Sequence, residues 1–298
     1  MPRDGVEYAV AREKGDLVGG TLHEQCGRQQ DRSRRQCRCG SGALARRSVL
    51  IVLVAGLLGL IAGSFLNVVI HRVPRRQSVV WPGSHCPVCG EPIEARDNVP
   101  LLSYVLLRGR CRNCKARISP RYPLVEALTG ILFAAAAYEF GPGLELVSAL
   151  ALVLVLVALA GTDLEHRLLP NAIVGPAALI GFALSVLESP ERWWIYVVSA
   201  LAVAGGLFAL ALAYPGGMGM GDVKMGGMLG AFLGPYAALA VFLGALCGAV
   251  TGGTLITAGK MRRRNPLPFG VFMAIGGIVA LFVGPELWGL YLDLAQGR

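Results

Sequence analysis

Leu144-Glu145-Leu146-Val147-Ser148-Ala149-Leu150-Ala151-Leu152-Val153-Leu154-Val155-Leu156-Val157-Ala158-Leu159-Ala160-Gly161 carries one charge in eighteen residues and runs directly into Thr162-Asp163. About 20 apolar residues are what a helix needs to cross a bilayer, so this stretch reads as a membrane span that ends in a carboxylate. Leu124–Phe140 precedes it, and Leu169–Leu187 and Ile195–Tyr214 follow, separated by short connections containing Gly, Pro or charge. Upstream, Ser48–Ile70 forms a first span in which Gly56, Gly59 and Gly63 allow close helix approach. Downstream, Met225–Ala258 is broken by Gly234-Pro235 and reads as one long tilted helix or two short ones, and a last span runs from Pro268 to Gly284. The chain has 298 residues, 54% hydrophobic and 16% charged, with mean hydropathy +0.56, a balance that excludes an ordinary soluble globule. The expectation is an all-α polytopic membrane protein with about eight transmembrane helices.

The polar remainder divides the chain. Residues 1–47 are polar and lack an apolar period, and they read as a disordered basic tail whose Cys26, Cys37 and Cys39 are unstructured thiols. Residues 48–70 form the first span, 71–123 a soluble insertion, 124–284 the membrane core and 285–298 a C-terminal tail. Lys and Arg exceed Asp and Glu by nine, with ten basic residues in the insertion, which places that insertion in the cytoplasm and argues against nucleic acid as a partner. Two crossings then bring the chain back to the same face at Asp163, and two more at Asp222. Basic residues 260–264 favour that face too. The equally basic tail lies an odd number of crossings away, which leads to the expectation of a native start near Val49 from a non-Met codon. A signal peptide is the weaker reading of the first apolar run, which is too long and too far from the terminus.

Two constellations carry chemistry. Cys86-Pro87-Val88-Cys89 and Cys111-Arg112-Asn113-Cys114 offer four thiolates in paired turns, the donor set of a closed, structural zinc site. Asp163 and Asp222 are the only aspartates between Leu124 and Glu286, each at a helix end on one face. Carboxylates at such a depth are costly and mark function, and a close pair sharing a proton has the arrangement of an aspartic protease. Asp222 stands in Gly216-Gly217-Met218-Gly219-Met220-Gly221-Asp222-Val223-Lys224, where glycines let the backbone approach a substrate or partner helix. No Gly-Lys-Ser/Thr signature turns that run into a phosphate loop. Lys224 either tunes Asp222 and orients substrate or reaches the interface as a snorkelling side chain.

Gly63-Ser64-Phe65-Leu66-Asn67-Val68-Val69-Ile70-His71-Arg72-Val73-Pro74, the two Cys-x-x-Cys pairs, Ser119–Glu126, Asp163 with Leu168-Leu169-Pro170, and Gly219–Lys224 occur in an order that resembles the bacterial type IV prepilin peptidases. The resemblance covers about residues 48–284. It implies a multi-pass protein of the bacterial cytoplasmic (inner) membrane that cuts the basic leader of type IV prepilins and pseudopilins after a glycine. It further implies N-methylation of the new terminus with S-adenosylmethionine as methyl donor. By motif position, Asp163 and Asp222 carry over as the catalytic pair and Cys86, Cys89, Cys111 and Cys114 as zinc ligands. Asn67, His71 and Arg72 either serve the methylation or anchor the helix end. Met225 and Val271 depart from the family's usual leucine and proline, and neither is expected to touch the aspartates. The alternative function is a membrane-anchored zinc ribbon that binds or assembles partners without catalysis. A presenilin-like protease sharing Gly-x-Gly-Asp is disfavoured by the cysteine insertion and the Gly63–Pro74 segment.

Overall fold

The structure, a computed structural model, describes residues 49–214, 218–259 and 267–295. The readings made on residues 1–47, on Gly216-Gly217 and on residues 260–264 lie outside the described residues. The helices are α1 (Val49–Arg72), α2 (Leu102–Leu106), α3 (Arg121–Phe140), α4 (Leu144–His166), α5 (Asn171–Glu188), α6 (Trp193–Ala213), α7 (Met220–Leu233), α8 (Tyr236–Thr257) and α9 (Phe269–Ala295). Among the described residues there are no strands, only isolated bridges pairing His85 with Pro92 and Arg110 with Arg117.

Seven helices are long and apolar enough to cross a membrane: α1, α3, α4, α5, α6, α8 and α9. The protein is therefore a multi-pass membrane protein. The eighth of the expected set is α7, whose fourteen residues extend about 21 Å against ~30 Å of hydrocarbon. The long apolar stretch is thus two helices. Gly234 turns at φ 55° and Pro235 opens α8, a combination of left-handed turn and missing N–H that no continuous helix accepts. Ser185 Oγ on α5 donates to Ala231 O at 2.9 Å and Phe232 O at 3.4 Å, giving donors to carbonyls in the last turn of α7 that lipid could not supply.

Several boundaries differ from the sequence reading. α3 starts at Arg121 because Pro123 falls in its first turn, where a missing N–H costs nothing. α4 continues past Gly161 to His166, so Asp163 lies inside its final turn. α7 starts at Met220, five residues before the expected Met225, which places Asp222 in its first turn. α9 continues through Pro285 to Ala295, taking in residues read as a tail. Within a membrane, neighbouring groups compensate the one hydrogen bond that such a proline removes.

Close packing of glycine against backbone sets the helix arrangement. A Cβ on Gly63 would meet Glu126 Cα at 2.7 Å and one on Gly59 would meet Thr129 O at 2.8 Å, so α1 lies directly on α3; Gly56 makes only ordinary contact. Gly230 of α7 abuts the backbone of Ala200 on α6, and Gly276 of α9 abuts Ala240 O on α8. Two buried clusters result. Leu66, Ile70, Val125, Phe133, Val153 and Val157 join α1, α3 and α4. Leu152, Leu156, Met225, Met228, Leu229 and Met273 join α4, α7 and α9. α4 contributes to both and so couples the amino-terminal helices to those that carry Asp222.

Candidate active site

Asp163 comes from the last turn of α4, and Asp222 from the first turn of α7. Both are buried, at 6% and 9% exposure, and they lie within electrostatic range of one another. Each is held by backbone. Asp222 is the third residue of α7 and its Oδ2 accepts the Gly219 N–H at 3.1 Å, half of a capping box, since glycine has no side chain to return the bond. Asp163 Oδ2 accepts the Val271 N–H at 3.1 Å, and the Gly270 N–H also points at this carboxylate. Those donors belong to the first turn of α9, where amides have no intrahelical acceptor and the helix dipole favours an anion.

The expectation that Val271 stays clear of the aspartates is therefore corrected. Its N–H is a donor that a proline at this position could not provide. Gly270 is a site residue that the sequence reading passed over. A Cβ there would meet Asp163 Oδ2 at 2.9 Å and Leu169 Cδ2 at 3.0 Å. The glycine of Pro268-Phe269-Gly270, so close to the start of a helix, was the available signal.

Leu169 ties the three segments together. Arg167 ends α4 in the left-handed conformation, φ 53°, and turns the chain into Leu168-Leu169-Pro170. A Cβ on Gly221 would meet Leu169 Cβ at 3.0 Å, so the glycine before Asp222 lets α7 begin against the side chain that also fills the space beneath Gly270. Lys224 turns away from this centre: its Nζ donates to Asn171 Oδ1 at 3.0 Å, pinning α7 to the start of α5. Next to Asp163 on α4, Glu165 pairs with Arg121 of α3, with Arg75 at 3.9 Å and with His166 at 3.7 Å, clamping the ends of α1 and α3 to the helix that bears Asp163.

The four insertion cysteines converge, their sulfurs all within 4.8 Å of one another. A tetrahedral zinc with ~2.3 Å bonds to sulfur needs sulfur–sulfur edges of about 3.8 Å. Cys86 Sγ and Cys114 Sγ are 3.8 Å apart, so the donor set fits a four-thiolate metal. The two turns are structural repeats. Cys86 N–H donates to Glu91 O and Cys111 N–H to Ala116 O, and the fourth residue after each, Gly90 and Lys115, has positive φ. In the first turn, the backbone N–H groups of Cys89 and Val88 hold the Cys86 thiol down to about 6, close to the thiolate form that metals bind. Between the turns, Arg112 Nε donates to Asp97 Oδ2 at 2.6 Å, and this hydrogen bond holds the Asp97 carboxyl below its ordinary range. Arg72 acts as an anchor, donating to Ser78 O at 3.0 Å and Gly83 O at 3.2 Å where the insertion begins.

Two family models match the chain: the bacterial Peptidase A24 N-terminal domain over residues 57–140 and the type IV leader peptidase family over residues 150–253. The prepilin leader peptidase/N-methyltransferase of Stutzerimonas stutzeri is 36% identical over 283 residues, 85% of this chain and 98% of that protein. Those of Aeromonas hydrophila and Bacillus subtilis (strain 168) are 39% and 34% identical, covering 79% and 81% of this chain and 92% and 98% of their own length. No solved structure matches. The order of motifs, the helical architecture and these matches agree, and the chain belongs to the type IV leader peptidase family.

Proposed function

We propose that the protein is an aspartic endopeptidase of the bacterial cytoplasmic membrane. It removes the basic leader of type IV prepilins and pseudopilins after a glycine at the cytoplasmic face, and then N-methylates the new terminus. The observation that carries the cleavage is the pairing of two buried carboxylates, Asp163 and Asp222, each oriented by a backbone N–H at the start of a helix. Two carboxylates in one low-dielectric site share a proton, because both cannot ionise easily. The ionised one takes a proton from water as that water attacks the scissile carbonyl carbon. The protonated one donates to the departing amide nitrogen, so the pair ends the cycle with one proton again and without a covalent intermediate. Fixed N–H donors remove the need to reorganise the carboxylates during the reaction.

The substrate fits the position. An apolar helix preceded by a basic leader presents its junction at the lipid–water boundary, where the ends of α4 and α7 meet. Cys86, Cys89, Cys111 and Cys114 would hold a structural zinc that leaves no open coordination position, so the metal shapes the insertion and takes no part in cleavage. S-adenosylmethionine, when bound, supplies the methyl group: its sulfur–carbon bond breaks, a nitrogen–carbon bond forms on the neutral amine, and the amine gives up a proton.

Mass spectrometry of a co-expressed prepilin tests the reading. Wild type is expected to yield leaderless, methylated product, and Asp163→Asn and Asp222→Asn to lose cleavage by at least ~10³-fold with the fold retained. Cleavage that survives either substitution would remove that aspartate from the mechanism, and no cleavage by well-folded wild type would return the chain to the noncatalytic zinc-ribbon reading.

A further inference from the structure

The cleavage chemistry accounts for the two carboxylates but not for the cavity beside them. A pocket of about 400 Å³ opens between α6, α8 and the start of α9. Its wall continues into both halves of the site. Met218 in that wall precedes Gly219, whose N–H donates to Asp222 Oδ2. Phe269, also in the wall, precedes Gly270, where an added Cβ would stand 2.9 Å from Asp163 Oδ2. Leu207 completes the connection, because it packs on Gly226 of α7, one helical turn beyond Asp222: a Cβ on that glycine would meet Leu207 Cδ1 at 2.5 Å.

Depth and lining decide what can enter. Leu210 lies one turn from the end of α6, and Phe269 is the first residue of α9. Those helix ends share the face that carries Asp222, so the pocket lies just inside the lipid–water boundary. Among the described residues, every one that lines it is Leu, Met, Val, Ala, Phe or Gly, with no charge and no polar side chain. A basic leader finds no partner there, and the glycine before the cut brings no side chain. The apolar helix that begins after the cut matches both the depth and the lining. Val241, Ala245, Gly248 and Ala249 fall at i, i+4, i+7 and i+8 on one face of α8, and Ala245 and Ala249 are exposed. Small side chains let a second helix approach closely, and close packing is what associates helices in a solvent as apolar as themselves.

We propose that this pocket is the subsite for the first turn of the prepilin's apolar helix, immediately after the scissile bond, and that Ala245 and Ala249 set the bulk it admits. The proposal rests on the reading of the chain as a prepilin peptidase. Seating that turn between α6 and α8 holds the preceding amide against Asp163 and Asp222 and leaves the basic leader in water.

The experiment measures leader removal by the full-length protein in detergent, with thermal unfolding run on the same samples. Ala245→Trp and Ala249→Trp bring an indole into the pocket from exposed positions. Val250→Trp is the control, adding the same ring to α8 at a position that is 58% exposed and outside the pocket. Filling the pocket is expected to raise KM about ten- to hundredfold with kcat within about threefold of wild type, the pattern of lost binding rather than displaced aspartates. Val250→Trp is expected to match wild type. A prepilin with a photoreactive side chain at the first position after the cut, irradiated on Asp163→Asn, is expected to label Leu207, Leu210, Ala245, Ala249 or Phe272. KM unchanged in both filled variants, a fall in kcat alone, or label confined to α1, α3 or the insertion would each overturn the assignment. So would loss of a co-purified phospholipid from the filled variants at unchanged KM, which would make an acyl chain the occupant. Wild type that fails to cleave would instead remove the peptidase reading beneath it.

Discussion

Gly270→Ala is the most informative single change, because it adds one methyl group at the back of the Asp163 carboxylate. The new Cβ would stand 2.9 Å from Asp163 Oδ2, 3.0 Å from Leu169 Cδ2 and 3.1 Å from Asp163 Cγ, whereas ordinary contacts begin near 3.4 Å. Relief therefore needs a displacement of about 0.5 Å, the difference between 3.4 and 2.9 Å. The backbone of α9 is held by its packing on α8, so the carboxylate and Leu169 are the groups that yield. Misplacing a reacting group by ~1 Å costs about 10²-fold, so kcat is expected to fall about ten- to hundredfold with KM little changed. Stability changes less: alanine is the better helix former by ~1 kcal/mol, which offsets an overpacking cost of about 1–3 kcal/mol. The assay is leader removal from purified prepilin in detergent, with thermal unfolding run on the same samples. Gly253→Ala on α8 is the control, because its Cβ meets nothing within 4 Å. If well-folded Gly270→Ala cleaves within about twofold of wild type, the first turn of α9 does not set the position of Asp163 during turnover.

Further outcomes follow from other contacts. Elemental analysis is expected to find one zinc per chain and Cys86→Ser or Cys114→Ser to lose it, with hydrogen exchange rising through the insertion while the membrane helices stay protected. Carboxyl NMR is expected to show Asp97 titrating below ordinary aspartate, with Arg112→Ala restoring it. The pair accordingly stabilises the insertion at neutral pH, and that contribution is lost as pH falls through the lowered value. Lys224→Met is expected to keep cleavage within about threefold of wild type, because Nζ is committed to Asn171. Gly230→Val is expected to lose the folded protein, since its side chain would enter the backbone of Ala200; normal expression and activity would show that α6 and α7 separate freely.

The membrane helices were legible because apolar length is a local property, and Leu144–Gly161 shows it without reference to anything else. Helix ends were less so. Whether Pro285 ends a helix depends on neighbours that compensate its missing N–H, and α9 passes through it. The length of α7 could not be read either, because the apolar stretch from Met225 does not show that its first helix already begins at Met220. At the site, Asp163 and Asp222 stood out by rarity, and the cysteines by their spacing. Gly270 and the Val271 N–H did not, since a backbone donor has no letter in the sequence and its target lies 108 positions away. Glu126 was quoted only as part of a motif; its burial, and the Leu101 N–H that it accepts, are tertiary facts.

α7 is only fourteen residues long, yet it runs along nearly the whole of α5: Lys224 meets Asn171 at the start of that helix, and Ser185, three residues from its end, serves the last carbonyls of α7. A full-length helix answers a thicker or thinner bilayer by tilting or sliding until both ends meet water again. Tied at both ends to α5 and seated by Gly230 on Ala200 of α6, α7 takes its height from these neighbours. A change of bilayer thickness thus reaches Asp222 through the tilt of α5 and α6.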